Sequence, residues 1–159
     1  MAHPDGQQSD IEARVFAEQI AMIYRLTPHT LAMSVIGSTL ILLALWASAP
    51  HPLLFGWYLL HHVITLCRYR LIRSYRRAEP PPAAAPLWAR RFVIGTIAAG
   101  LIWATVGTVL FPPPGSDVQF FIGMYLVGVA ATGMFTLSAY FWSFLPLAGL
   151  TLIPMSLWL

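Results

Sequence analysis

Two adjacent histidines are the residues of this sequence best suited to chemistry. His61 and His62 fall near the middle of a long apolar segment, and Tyr58 stands one helical turn before them. Imidazole titrates closer to neutral pH than any other side chain and is a frequent metal ligand. Neighbouring residues on a helix point about 100° apart, so the pair is poorly placed to bind one metal ion.

A haem or metal site would need further ligands at the same depth. His29 and His51 lie near opposite ends of the apolar segments, and Cys67 is the single cysteine. We therefore predict no bound metal and no cofactor. Two interpretations of His61, His62 and Tyr58 remain open: a structural hydrogen-bonded group, or a group that senses a signal or a proton.

Arginine is the second residue type whose placement is informative. All nine basic residues are Arg, and seven of them lie between Arg68 and Arg91. Because membrane topology already explains such a cluster, we expect no nucleic-acid partner. The first arginines are expected to snorkel to the headgroups. The following residues are candidates for binding anionic lipids or for relaying motion to a cytoplasmic partner: Arg68, Arg70, Arg73, Arg76 and Arg77.

Catalytic motifs are not recognisable in the sequence. It contains no nucleotide-binding loop, no catalytic triad, no paired carboxylates and no Cys/His spacing typical of a metal centre. We therefore expect no enzymatic activity and no catalytic residue within this chain. The predicted crossings also lack Asp, Glu, Lys and Arg, and this disfavours an ion-coupled transporter.

The composition defines the elements that must hold these residues. The chain is 58% hydrophobic and 9% charged, whereas soluble domains carry roughly 25% charged residues. Its apolar residues come in runs of about 20, the length of a helix that crosses a bilayer. We predict an all-α fold: a polytopic transmembrane helical bundle of about five crossings, preceded by an N-terminal amphipathic helix.

Polar residues and prolines set the boundaries of these elements. Residues 1–28 form a cytoplasmic segment whose amphipathic helix begins at Ser9 or Asp10, ends near Leu26 and gives way to a new helix at Pro28. The bundle occupies residues 29–159. Its crossings are predicted at 30–49, 53–67, 92–111, 118–137 and 140–159.

The connection 68–91 is rich in Arg and Pro. The second crossing is expected to continue as a helix through Arg77, and the prolines from Pro80 to Pro86 then predict a polyproline linker. A brief break is predicted at Ser138 and Ala139, before the fifth crossing.

Arginine placement predicts the orientation. The loops around His51 and Asp117 hold no arginine, whereas the connection 68–91 holds seven. The positive-inside rule places this connection and the N-terminus in the cytoplasm of a bacterial inner membrane. The last helix has no basic flank, and we expect the chain to continue beyond Leu159 into a cytoplasmic domain.

Small residues recur at a spacing of four in the third and fourth predicted helices, as in Gly95 with Ala99 and Gly128 with Thr132. Such faces allow close helix packing, either within the bundle or at a homodimer seam or ligand crevice. Trp103 lies deeper than the other tryptophans. It is interpreted either as part of the core or as one wall of a pocket for a lipid-like molecule.

The order of several short stretches resembles a family of bacterial N-terminal membrane sensor regions that precede diguanylate cyclase (GGDEF), GGDEF–EAL or histidine-kinase output domains. The stretches lie at residues 17–25, 70–78 (RLIRSYRRA), 88–92 (WARRF), 100–104 (GLIWA), 111–113 (FPP) and 128–133 (GVAATG). Members of that family resemble six-helix modules. The resemblance supplies no ligand or catalytic residue.

Two functions are therefore expected. The first is a sensory or dimerising input module of a signalling protein, a homodimer in the lipid bilayer whose signal could be a small molecule or a lipid-like compound. The alternative is a small stand-alone membrane protein, either a transporter or an assembly factor. The sequence beyond Leu159 discriminates between them.

Overall fold

The computed structural model of the protein describes residues 4–112, 115–137 and 140–156. These residues form five α-helices and no strand, which confirms the all-α prediction. The helices are α1 (Pro4–Ala44), α2 (His51–Ala78), α3 (Ala85–Val106), α4 (Asp117–Leu137) and α5 (Phe141–Ser156). The predicted break at Ser138 and Ala139, the first three residues and the last three positions of the predicted fifth crossing lie outside the described residues.

α1 is one continuous helix, and the predicted restart at Pro28 is wrong. A proline inside a helix removes one backbone hydrogen bond, and such prolines are tolerated where neighbouring helices and Ser/Thr hydroxyls satisfy the freed groups. The Thr27 hydroxyl donates a 2.6 Å hydrogen bond to the Ile23 carbonyl, which is next to the Tyr24 carbonyl that Pro28 leaves without its helical N–H. Ile23 and Tyr24 are fully buried against the rest of the bundle, so tertiary packing holds the helix through the proline.

The connection between α2 and α3 is shorter than the predicted linker. α2 continues through Arg77 and ends at Ala78, and its C-cap residue Glu79 has a left-handed backbone with φ of 40°. Pro81 has the extended geometry expected of polyproline, and a 3₁₀ turn, Pro82–Ala84, leads directly into α3. The third helix therefore begins at Ala85 rather than at Phe92, because Pro86 occupies its first turn, where the missing N–H has no helical partner to lose.

The five helices pack side by side as a closed ring in the order α1, α2, α3, α5, α4. α3 packs most extensively against α5, and α4 closes the ring by packing on both α5 and α1. The core is apolar and runs the length of the ring, from Ile20 and Ile72 at one end to Leu45 and Leu54 at the other.

α2 runs antiparallel to both neighbours along its whole length. Its contacts with α1 pair residues in opposite order: Tyr24 with Tyr75, Ser34 with His61 and Thr39 with Tyr58. Its contacts with α3 do the same: Trp57 with Ile102, Arg68 with Phe92 and Tyr75 with Trp88. α2 therefore extends alongside both neighbouring helices over its whole length.

Within the part of the chain that the structure describes, three helices are long and apolar enough to cross a membrane, at Asp10–Ala44, Pro82–Val106 and Asp117–Met134. These helices thus have the length and composition typical of a membrane protein. α2 carries five arginines in its second half, and its apolar part, residues 53–67, is only about 22 Å long. The described part of α5 has 16 residues, or about 24 Å. The prediction of five crossings therefore stays a prediction.

Candidate functional site

His61 is the histidine that faces the interior of the bundle. It shares the buried face of α2 with Leu54, Trp57 and Ile72, and only 3% of its surface is exposed. Its Nε2 lies 2.9 Å from the hydroxyl oxygen of Ser34 on α1. Its Nδ1 is buried and has no hydrogen-bond partner among the described residues.

Two tryptophan rings enclose His61. The ring centroids of Trp57 and Trp103 lie 5.8 and 5.2 Å from that of His61. Trp57 donates a 3.0 Å hydrogen bond from Nε1 to the carbonyl of Ile102, which ties α2 to α3 at this height. The site around His61 is thus a single polar contact between α1 and α2 inside an aromatic wall.

His62 lies on a different face and is only half-buried. Its Nδ1–H donates to the backbone carbonyl of Tyr58 at 2.8 Å, one turn back on the same helix. The centroids of the two imidazoles are 5.4 Å apart with their planes at 69°. The structure therefore places the two histidines in separate environments.

Tyr58 links α2 to α1 nearer to the loop that joins them. Its hydroxyl lies 3.1 Å from that of Thr39. Thr39 donates its one hydroxyl hydrogen to the carbonyl of Val35, so Tyr58 is the donor in this pair. Both partners are satisfied, which gives Tyr58 a structural role between the two helices.

Within the described residues, no three His, Cys, Asp or Glu side chains come together in a way that could hold a metal ion. His61 could offer one nitrogen as a metal ligand. Cys67 is exposed and lies further along the same helix. The environment of His61 is thus that of a packed polar residue.

The arginines of α2 divide into two groups. Arg70, Arg73 and Arg77 are exposed and, with Ser74, line a shallow depression on the outside of the helix. Arg76 is exposed as well. These four side chains are exposed, and a role for them in binding anionic lipids or in relaying motion stays a prediction.

Arg68 differs from the other four because its side chain turns towards the bundle. Its stem lies against Gly95 of α3, where an added Cβ would come 3.3 Å from Arg68 Cγ. The central carbon of its guanidinium is 5.7 Å from the ring centroid of Phe92. Gly95 provides the space for this inward path, and the prediction that the first arginines snorkel to the headgroups stays a prediction.

Arg68 contributes to the wall of a groove of about 600 Å³ between α1 and α4, which we call the α1/α4 groove. Thr30, Ser34 and Thr132 stand with Arg68 in its lining, and the remaining wall is mainly apolar. Its inner wall includes Trp103, which is also part of the buried core, and its outer rim includes Met33, Ile36, Leu40, Phe121 and Met124.

Gly37 and Tyr125 shape the middle of the groove. The Tyr125 hydroxyl lies so close to Gly37 that an added Cβ would overlap it. The Tyr125 ring is 5.6 Å from Trp103, centroid to centroid. Glycine is therefore required at position 37 of α1 if Tyr125 is to keep this close contact in the wall of the groove.

A four-residue aromatic cluster lies at the end of the bundle where α2 ends, on the C-terminal side of Arg68. Its members are Tyr24, Tyr75, Trp88 and Phe92. The rings of Tyr24 and Tyr75 are stacked, with centroids 3.9 Å apart and planes within 10°. Trp88 meets both tyrosine rings edge-on, and Phe92 meets Tyr24 in the same way at 5.3 Å. Tyr24 also donates a 3.0 Å hydrogen bond to the Trp88 carbonyl.

The aromatic cluster was not found by sequence reasoning, because its members come from three helices. Burial raises the pKa of the Tyr75 phenol, so the stacked ring stays neutral at physiological pH. Phe92 touches both Tyr24 and Arg68. The cluster therefore lies in direct contact with the residue that lines the α1/α4 groove.

Comparison with known proteins gives no match to a family model, to a curated protein or to a solved structure. The interpretation of the site therefore depends on its geometry alone.

Proposed function

We propose that this chain is a membrane-embedded sensory input module of a signalling protein, in which α1 and α2 carry a change in the bundle to the cytoplasm. The observation that carries the proposal is the aromatic cluster, in which Tyr24 of α1 stacks on Tyr75 of α2 at the arginine-rich end of the bundle. A crossing needs about 20 residues. α1 has 41 residues and α2 has 28, so both exceed that length.

Five crossings are part of this proposal. α2 pairs with α1 and α3 along their length, so α2 must traverse whatever thickness those two helices traverse. Its outer face is apolar, with Leu59 67% exposed. On α5, Trp142 and Ile153 are each 65% exposed. Apolar surface of this kind suits lipid better than water.

The orientation follows from charge. Arg70, Arg73, Arg76 and Arg77 emerge at the end of the bundle where the aromatic cluster lies, together with Arg90 and Arg91 at the start of α3. The positive-inside rule places this end and the N-terminus in the cytoplasm, in a bacterial inner membrane. Exposed arginines there have access to anionic headgroups.

A contact path supports transmission. Arg68 lines the groove and touches Phe92, Phe92 touches Tyr24, and Tyr24 stacks on Tyr75. A ligand shifts such a system only by binding two packings unequally. A change in the position of Arg68 would alter the packing of the aromatic cluster. It would thereby alter the separation of α1 and α2 at the arginine-rich end of the bundle.

Dimerisation through small-residue faces and an output domain of the GGDEF, GGDEF–EAL or histidine-kinase type complete the proposal. The resemblance in the order of the short stretches supports this output class. A module that signals through helix ends needs an effector attached to one of them, and the cytoplasmic side is where such an effector would act.

The mass of the native product tests the proposal against the stand-alone alternative. We would tag the chromosomal N-terminus and measure apparent mass on a blot. A product well above 17.6 kDa, the mass of these residues, is expected because an input module is attached to its effector. A product near 17.6 kDa would contradict the proposal and favour a stand-alone transporter or assembly factor.

A further inference from the structure

We propose that the α1/α4 groove binds a single-chain fatty acid, with its carboxylate paired to Arg68 and its acyl chain lying along α1. The binding itself would hold whether or not the protein signals. Only its role as the input rests on the proposed function.

Charge is the first argument. Arg68 forms no ion pair among the described residues, and the six acidic residues of the sequence are Asp5, Asp10, Glu12, Glu18, Glu79 and Asp117. No acidic residue lies between Glu18 and Glu79, so α1 beside the groove and the membrane half of α2 are free of carboxylates. A charged group in a mainly apolar wall is costly unless it is paired. A bound anion would supply the missing partner.

The number of positive charges in the groove indicates which kind of headgroup would bind there. Among the described lining residues, Arg68 is the one charged side chain, and it stands with four hydroxyl-bearing residues, Thr30, Ser34, Tyr125 and Thr132. A guanidinium pairs with a carboxylate through two parallel hydrogen bonds. Arg70, Arg73 and Arg77 line a separate surface, so a headgroup that needs several cations would not find them among the described lining residues.

The dimensions of the groove indicate which kind of lipid tail would fit. The lining of α1 extends from Thr30 to Leu40, a rise of about 15 Å. The volume of about 600 Å³ falls in the range for one small ligand, roughly 300–1,000 Å³. The rim is exposed, with Met124 at 78% and Ile36 at 54%, so a chain could enter sideways from the bilayer. These dimensions favour one acyl chain over a two-chain phospholipid.

Lipid tails gain nothing from leaving other lipid for an apolar groove, because the two environments are equally apolar. Selectivity must therefore come from the headgroup. A free fatty acid should bind much better than its methyl ester, which has the same tail and no charge. This comparison needs no variant protein and so remains valid if a substitution impairs folding.

Photolabelling of the whole chain tests the inference. The protein would be reconstituted in nanodiscs of phosphatidylcholine and labelled with palmitic acid that carries a mid-chain diazirine, and labelled peptides would be identified by mass spectrometry. We expect labels on the groove faces of α1 and α4. Unlabelled palmitate should compete, and methyl palmitate should not.

Two variants and two matched controls sharpen the test. Arg68→Gln should weaken labelling about tenfold to a hundredfold, since it removes a charge-assisted hydrogen-bonded pair, whereas Arg73→Gln on the exposed face should leave it unchanged. Gly128→Leu should abolish labelling by filling the groove, because nothing lies within 4 Å of a Cβ at that position. Gly56→Leu, at an equally open glycine outside this groove, should not.

Three outcomes would overturn the inference. Equal competition by methyl palmitate would mean that Arg68 selects no anion. Equal competition by phosphatidylglycerol would assign the groove to a two-chain lipid. The third outcome is labelling that is confined to residues outside the groove, or labelling that is unchanged in Arg68→Gln and Gly128→Leu. This outcome would mean that another helix or bulk lipid covers the groove. A product near 17.6 kDa would contradict the proposed function and leave these results untouched.

Discussion

Two polar residues of α2 define the interior chemistry of this protein, and they stand two turns apart. His61 meets Ser34 within an aromatic wall, and Arg68 meets an apolar groove. That a polar residue in an apolar segment faces the bundle could be predicted from the cost of exposing it to lipid. Which histidine does so could not be, because the choice depends on where α1 and α3 pack. The inward path of Arg68 depends on Gly95 of a different helix.

The contact between Ser34 and His61 should contribute a measurable coupling to stability. Interhelical hydrogen bonds in membranes average about 0.6 kcal/mol. We expect the combined effect of Ser34→Ala and His61→Phe on the free energy of unfolding to differ from the sum of the single effects by about that amount. Unfolding in mixed micelles would measure it.

His62→Phe provides the control for this cycle, since His62 bonds within its own helix. Its combination with Ser34→Ala should be additive. Coupling of similar size in both cycles would show that the polar contact to His61 contributes nothing specific. The hypothesis that either histidine senses a signal is separate, and unchanged output of His61→Phe and His62→Phe across pH would contradict it.

The helices differ from their predicted bounds for identifiable reasons. Local rules placed a break at Pro28, but burial of Ile23 and Tyr24 holds α1 together. The same rules placed the third crossing at 92–111, whereas Pro86 allows the helix to begin near the 3₁₀ turn. α2 was predicted as a continuous helix through Arg77, because no Gly or Pro interrupts it after Gly56. Periodicity thus indicates where helices are, and tertiary packing decides where they stop.

The stacked tyrosines should determine how firmly the ends of α1 and α2 are held together. Aromatic pairs contribute about 0.5–1.5 kcal/mol beyond their buried area. Tyr75→Ala should therefore raise amide hydrogen exchange in residues 70–78 and in the facing part of α1 by roughly tenfold, a factor that corresponds to about 1.4 kcal/mol.

Tyr69→Ala is the matched control for this element, because Tyr69 lies on the same helix and is 49% exposed. Its exchange pattern should resemble that of the unmodified protein. If Tyr75→Ala exchanged no faster than Tyr69→Ala, the aromatic cluster would not hold the two helices together, and the proposed path from Arg68 would end at Tyr24.

At the scale of the whole molecule, the five helices form a ring whose apolar outer surface and arginine-rich end both suit a membrane. Composition alone predicted the helical class and the approximate elements. The order of the ring, the groove and the aromatic cluster could not be predicted, since each joins residues far apart in the sequence, such as Tyr24 with Trp88. The proposals for signalling and for fatty-acid binding both require α2 to cross the bilayer beside α1.

Cysteine accessibility in intact cells tests that requirement most directly. In a Cys67→Ser background, single cysteines would replace Ser48 in the α1–α2 loop and Ala83 before α3, both of which are exposed. A membrane-impermeant maleimide should label the cysteine at position 48 in intact spheroplasts and the cysteine at position 83 only after lysis, because α2 separates them by one crossing. Labelling of both positions from the same side would contradict the account.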